Sequence, residues 1–213
     1  MIPVNVLAVR YLANAEPGLG RALGAPEGYP ALGILTTDSD DATYIALDEA
    51  TKAADVKVCY ARSFYAGAAN ASTPNAGEVI GIIAGPTPGA MRSGMEAALS
   101  ALNRVGFEET HGVPYLAHTV SSCGSYLAKE AGVRQGSALA YLIAPPLESM
   151  YALDAALKAA DVVPDFRYPN VIRLAPVPLY VRYVDVYELV QRLKTIMDTG
   201  AHLAYENKAG TVA

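Results

Sequence analysis

Short apolar runs alternate with helical patterns along this chain, and the alternation predicts most of its elements. Residues 4–12 alternate and are partly β-branched, which suits a strand. Pro17 to Gly24 can form one short helix, and residues 31–37 are an apolar run of buried-strand type. Over residues 41–54 the spacing predicts a helix with Ala42, Ile45, Ala46, Ala50 and Ala53 on one small face. Residues 55–63 and 78–84 read as strands. Thr87 is placed to cap a helix that has Pro88 in its first turn and runs to about Val105. The pattern then returns: a strand over 114–121, a helix near 124–131, a strand over 138–144 and a helix over 147–160. Strands near 161–167 and 171–184 and a helix over 186–198 complete it. The expected class is α/β, or α+β, with mixed pairing.

The return of the pattern is also visible in the letters. Leu47-Asp48-Glu49-Ala50-Thr51-Lys52-Ala53-Ala54-Asp55-Val56 comes back as Leu153-Asp154-Ala155-Ala156-Leu157-Lys158-Ala159-Ala160-Asp161-Val162, identical at eight of ten positions at an offset of 106. Twice that offset is nearly the whole chain, so a duplicated domain is expected, 1–108 and then 109–213. Glu108-Glu109-Thr110-His111-Gly112 reads as the polar linker between the halves.

Composition narrows the function classes. The chain has 213 residues, 52% of them hydrophobic and 17% charged. That apolar fraction can build a core and excludes disorder as the main state. Two cysteines, Cys59 and Cys123, exclude a disulfide scaffold. A formal charge of −5 argues against a phosphate-tracking nucleic-acid protein. No signal peptide and no bilayer-spanning run is visible, so a cytoplasmic protein without a membrane partner is expected. The low charge and 38 alanines suit a surface partly covered by neighbours.

Several motifs invite a chemical reading. Gly18, Gly20 and Gly24 imitate a dinucleotide fingerprint, but the third glycine comes one residue late. Asp38, Asp40 and Asp41 fail the calcium-loop pattern because Ala42 and Thr43 hold its fifth and sixth positions. They suit a helix N-terminus; alternatively one of them, Asp40 first, faces a pore or pocket. Asp48 with Lys52, and Asp154 with Lys158, are either surface ion pairs or edge lysines where like subunits meet. Cys123 has no histidine at a useful spacing, and the three histidines lack metal-ligand spacing. No cofactor, no metal and no catalytic residue is expected. The segment Phe64 to Gly77, nearly all small residues, is longer than a hairpin needs and is of the kind that carries function.

An ordered series of these stretches resembles the tandem-domain shell proteins of bacterial microcompartments, closest to their ethanolamine-utilisation branch. It comprises Asp38-Ser39-Asp40-Asp41-Ala42-Thr43-Tyr44-Ile45, Asp48-Glu49-Ala50-Thr51-Lys52 and Tyr60-Ala61-Arg62-Ser63-Phe64-Tyr65-Ala66-Gly67-Ala68. It continues through Ala76-Gly77-Glu78-Val79, Gly85-Pro86-Thr87-Pro88, Gly124-Ser125-Tyr126-Leu127 and Ala144-Pro145-Pro146-Leu147-Glu148, covering residues 4–163 in register. The resemblance implies two circularly permuted microcompartment domains, a pseudohexagonal homotrimer that tiles into facets with other shell proteins, and no enzymatic activity. It implies a central gate loop containing Phe64, Tyr65, Ala66, Gly67, Ala68, Ala69, Asn70, Ser72, Thr73 and Gly77. It places Asp40, Asp41, Glu78 and Phe107 at small pores, and Lys52 and Lys158 at tiling edges. An acidic lining favours a small polar metabolite of cationic-amine type. The alternative is a small-molecule-binding regulatory trimer that does not tile. The resemblance ends after about Pro164. There the family's second long loop and Gly-Ser-rich turn are replaced by Asp165-Phe166-Arg167-Tyr168-Pro169-Asn170 and the stretch Val171 to Tyr183.

Overall fold

The computed structural model describes residues 1–64, 78–145, 149–152, 163–167, 171–175, 190–192, 194–195 and 197–200. The chain divides into two compact units. The first comprises Pro3–Gly106 and Cys123–Gln135; the second comprises Met1–Ile2, Phe107–Ser122 and the chain from Gly136 onward.

In the first unit, strands β2 (Val6–Leu12), β3 (Ala31–Thr37), β4 (Lys57–Phe64) and β5 (Glu78–Gly85) form an antiparallel sheet in the order β2-β3-β5-β4. Helices α2 (Asp40–Ala53) and α3 (Pro88–Leu102) pack against one another and on this sheet. Glycines on the sheet let them come close. A Cβ on Gly33 would meet Met95, and one on Gly81 would meet Leu47. The other parity of the strands, Leu32, Ile82 and Ala84, packs with Ala15, Leu23 and Tyr29 from the segment that carries α1 (Pro17–Ala22). α3 begins as its sequence predicts: the Thr87 side chain accepts from Ala90 N at 3.1 Å and Pro88 opens the helix.

Helix α4 (Ser125–Ala131) also belongs to the first unit, where it packs on α2 and β4. This changes the reading of α2. Its expected single apolar face would end in Ala53, which is exposed. Instead the helix is buried on two sides, and Thr43, Leu47 and Asp48 join Ala42, Ile45, Ala46 and Ala50 in the interior.

In the second unit the sheet runs β1-β6-β7-β8-β10-β9, with β1 (Ile2–Pro3), β6 (Gly106–Thr110), β7 (Val113–Val120), β8 (Leu139–Ile143), β9 (Val163–Arg167) and β10 (Val171–Ala175). Its core gathers Tyr115, Ala140, Leu142, Ala144, Ala152, Val190 and Met197. The expected linker at Glu108–Gly112 is instead strand β6 and the tip of a hairpin with β7. His111 and Gly112 take φ of 49° and 78°, the left-handed pair of a two-residue turn. Polar residues on a half-exposed strand hid it from the pattern.

The two sheets share one strand order. β2-β3-β5-β4 in the first unit is matched by β7-β8-β10-β9 in the second. Glycines at matching places, Gly24 with Gly132 and Gly28 with Gly136, all have positive φ.

Candidate pore and edge residues

Asp40 stands at the start of α2 and ties it to β4. Its Oδ1 accepts from Asp41 N at 2.9 Å, and its Oδ2 accepts from Ser63 Oγ at 2.9 Å. Ser63 Oγ is in turn 3.0 Å from Tyr44 OH, and the Tyr44 ring lies 6.2 Å from that of Tyr126 on α4. A half-buried polar chain therefore runs from the helix start to the last described residues before the segment 65–77. Asp41 is buried. Of the three acidic residues, Asp40 bonds to the helix's own backbone, while Asp38 accepts from Asn5 N at 2.9 Å and Asn5 Nδ2 at 2.6 Å.

Glu78 opens β5 opposite Phe64. Ser63 pairs with Val79, whose buried side chain points toward the helices, so strand alternation turns Glu78 to the opposite face from the Asp40–Ser63 link. Within one unit the structure does not bring Asp40 and Glu78 together. Phe107 stands on β6, in the second unit. The gate-loop residues Tyr65 to Gly77, and Lys158, lie outside the described residues; Phe64 is described as backbone only.

Lys52 is ion-paired with Glu49 and lies 3.9 Å from Asp48. Asp48 is not part of a surface pair, because its side chain is fully buried. It accepts from Gly124 N at 2.6 Å and from Leu127 N at 2.8 Å, while Thr51 Oγ accepts from Ser125 N at 3.2 Å. One carboxylate from α2 thus satisfies the first turn of α4, whose own N-cap, Gly124, has no side chain to do so. Burial raises the Asp48 pKa; the two backbone N–H groups and Lys52 oppose it. Sequence reasoning missed this role. The available signal was a helix start, Gly124-Ser125, without a capping carboxylate of its own.

Two cavities flank these elements in the first unit. One of about 540 Å³ surrounds α1, lined by Asn14, Glu16, Arg21, Glu27 and Tyr29 among others. The other, about 470 Å³, lies between β4 and α4 and includes Lys57, Cys59, Tyr60, Tyr126 and Lys129. The glycine-rich stretch near the first cavity does not form a dinucleotide site. α1 has six residues, and the Glu16 carboxylate accepts from Leu19 N at 2.9 Å, putting negative charge where a phosphate would bind. Cys59 donates to Ile82 O at 3.5 Å, and burial pushes its thiol up to about 11. It is expected to stay protonated at neutral pH and to label slowly with a thiol reagent such as DTNB, reacting fast only after unfolding; stoichiometric rapid labelling of the native protein at pH 7 would contradict this. Among the described residues there is no cluster of three or more His, Cys, Asp or Glu side chains able to hold a metal ion, and no helix long and apolar enough to cross a membrane.

The microcompartment (BMC) domain model matches residues 31–115. The microcompartment shell protein EutL of Clostridium perfringens is 57% identical over 166 residues, 76% of either chain. The chain belongs to the EutL family of bacterial microcompartment shell proteins. EutL of Escherichia coli is 46% identical over 166 residues, again 76% of each. The crystal structure of C. perfringens EutL superposes with a TM-score of 0.84 at 46% identity, covering 97% of this chain and 96% of that one. The trimeric shell protein PduB, at 18% identity and a TM-score of 0.71, shares the fold. The expected class of microcompartment domains with antiparallel sheets flanked by helices is therefore what the chain adopts. A second family also matches part of the chain. The kynureninase C-terminal domain model matches residues 125–193, and kynureninase of Bacillus cereus is 53% identical over 58 residues, 27% of this chain and 14% of that enzyme.

Proposed function

We propose that the protein is a structural component of a microcompartment shell that assembles as a homotrimer and tiles with further shell proteins. The observation that carries this reading is the 57% identity to a EutL shell protein, joined to a structural match along 97% of the chain. On this reading the halves 1–108 and 109–213 are two microcompartment domains, and three chains supply six similar wedges around one axis. The repeated strand order supports it. So do the apolar side chains left at least 37% exposed on the two faces of the outer strand β2, Val6, Leu7, Tyr11 and Leu12, since an edge strand of this kind suits cover by a second copy. The ligand-binding trimer that does not tile is disfavoured by the relatives' own description as shell proteins.

Asp40, Asp41, Glu78 and Phe107 are proposed to line small pores. Because Asp40 and Glu78 occupy opposite faces of one sheet, a pore that uses both needs a second unit to complete it. An acidic lining admits a small polar metabolite and favours a cationic amine. The segment Phe64 to Gly77 is proposed as the gate of the central opening. No catalytic step is assigned, since the kynureninase-like stretch amounts to 14% of that enzyme.

Lys52 and Lys158 are proposed as tiling-edge residues. Lys52→Ala is expected to abolish or thin two-dimensional sheets in electron micrographs while the trimer mass by light scattering stays unchanged. Loss of the trimer itself would move Lys52 to a different interface, and unaltered sheets would remove it from the edge.

A further inference from the structure

We infer that α1 joins one chain to the next in the trimer, seating on the second unit of a neighbouring copy as α4 seats on the first unit of its own chain. This rests on the trimer reading and names the element that makes the trimer's contacts.

α1 and α4 are one element met twice. α1 lies between β2 and β3, α4 lies between β7 and β8, and those strands hold matching places in the two sheets. The glycines of positive φ that follow each helix agree at one spacing, Gly24 with Gly132 and Gly28 with Gly136. At the same spacing Leu19 answers to Leu127 and Arg21 to Lys129.

The surroundings of the two helices differ. α4 stands apart from the unit of its flanking strands and packs on α2 and β4 of the first unit. There Leu127 is 2% exposed, and Asp48 of α2 accepts from Gly124 N and Leu127 N. α1 has no buried residue, and Leu19 is 43% exposed. Its first turn is satisfied from within, because the Glu16 carboxylate accepts from Leu19 N at 2.9 Å. α1 therefore needs no neighbour to hold its backbone; what it lacks is cover for its leucine. The cavity of about 540 Å³ lies open beside it. The edge strand β2, with Val6, Leu7, Tyr11 and Leu12 exposed, leads into it and extends the surface left for cover.

The occupant follows from the parts each chain holds. There are two copies of the element and two units of one strand order. α4 and α1 both lie in the first unit, and neither belongs to the second. α4 fills the place on α2 and β4, so α1 is left over and the second unit is left without its counterpart of α4. A second copy of this chain carries the matching place by internal repetition, which a partner of unrelated sequence does not. Joining α1 of each chain to the second unit of the next is a head-to-tail contact, and such contacts close into a ring when the rotation completes a turn.

Leu19→Asp in the full-length protein tests this, with the unaltered protein measured beside it by light scattering and far-UV circular dichroism. The expected result is a fall in mass from three times 22.3 kDa to 22.3 kDa with the circular dichroism spectrum kept. The milder Leu19→Ala, which serves if the aspartate variant does not fold, is expected to raise the concentration at which the trimer dissociates by about tenfold. It should leave the urea midpoint of the dissociated chain in place, whereas Leu127→Ala at the matching position lowers that midpoint. A trimer that survives Leu19→Asp and resists dilution unchanged in Leu19→Ala overturns the inference and leaves the trimer reading standing. So do trimers that only fail to join into sheets, since they put α1 at a tiling edge. A monomer in the unaltered protein overturns both.

Discussion

Asp48→Ala is expected to lower stability by about 3–5 kcal/mol, because two backbone N–H groups lose a charged acceptor in a buried place. The bonds at stake are those from Gly124 N and Leu127 N, at 2.6 and 2.8 Å. The N-cap of α4, Gly124, brings no side chain of its own to take over. Neither water nor a neighbouring side chain replaces the acceptor at no cost, since Asp48 is 0% exposed. The measurement is a shift of the urea midpoint at constant slope; a loss under about 1 kcal/mol would contradict the role. Gly124→Ala attacks the same clasp from the other side. Its Cβ would meet Thr51 Oγ, and Asp48 O at 2.9 Å. The double variant should therefore cost less than the sum of the two. The pH dependence has a definite sign. Burial holds the folded pKa of Asp48 above its unfolded value, so the native state binds that proton more tightly. This one group therefore adds stability as pH falls from its raised folded pKa toward the unfolded pKa, and adds nothing further below. In Asp48→Asn that gain on acidification should be absent.

Gly85→Ala is expected to cost about 2–3 kcal/mol by overpacking. Its Cβ would come within 2.9 Å of Met91 N and 3.1 Å of Met91 Cα, which are backbone atoms of α3. They cannot withdraw easily, because Met91 N bonds to Thr87 O at 3.1 Å in a turn fixed by the Thr87 cap. Gly33→Ala is the control. Its nearest contact, at 2.7 Å, is Met95 Cε, the free end of a flexible side chain. That variant should lose about 1 kcal/mol or less. Equal losses for the two would mean that α3 adjusts to the sheet more readily than its cap implies.

Much of the fold was legible because its elements bury one clear period. The run Ala31–Thr37, the Thr87-Pro88 helix start and the Gly124 region all form where their letters place them. What escaped depends on partners distant in sequence. β6 is polar, and pairing with β1 and β7, together with the bond between Tyr115 and Glu108, makes it a strand. The periodicity of α2 showed one buried face, and the second exists because α4 returns to cover it. Asp48 and Lys52 at a four-residue spacing look like a helix-surface pair, but the acceptor of that pair faces a chain segment 76 residues away. The pore set was legible as chemistry and not as geometry. Nothing in the letters Asp40 and Glu78 says that strand parity sends them to opposite faces. The change of character after Pro164 was readable as a departure, but not that the departing hairpin would restore the strand order of the first unit.

Negative-stain electron microscopy with light scattering on one purified sample tests the shell reading most directly. Flat three-fold particles of about 67 kDa, three times 22.3 kDa, with some joined edge to edge into sheets, are the expected result. A compact monomer of 22.3 kDa that persists at high concentration would contradict it.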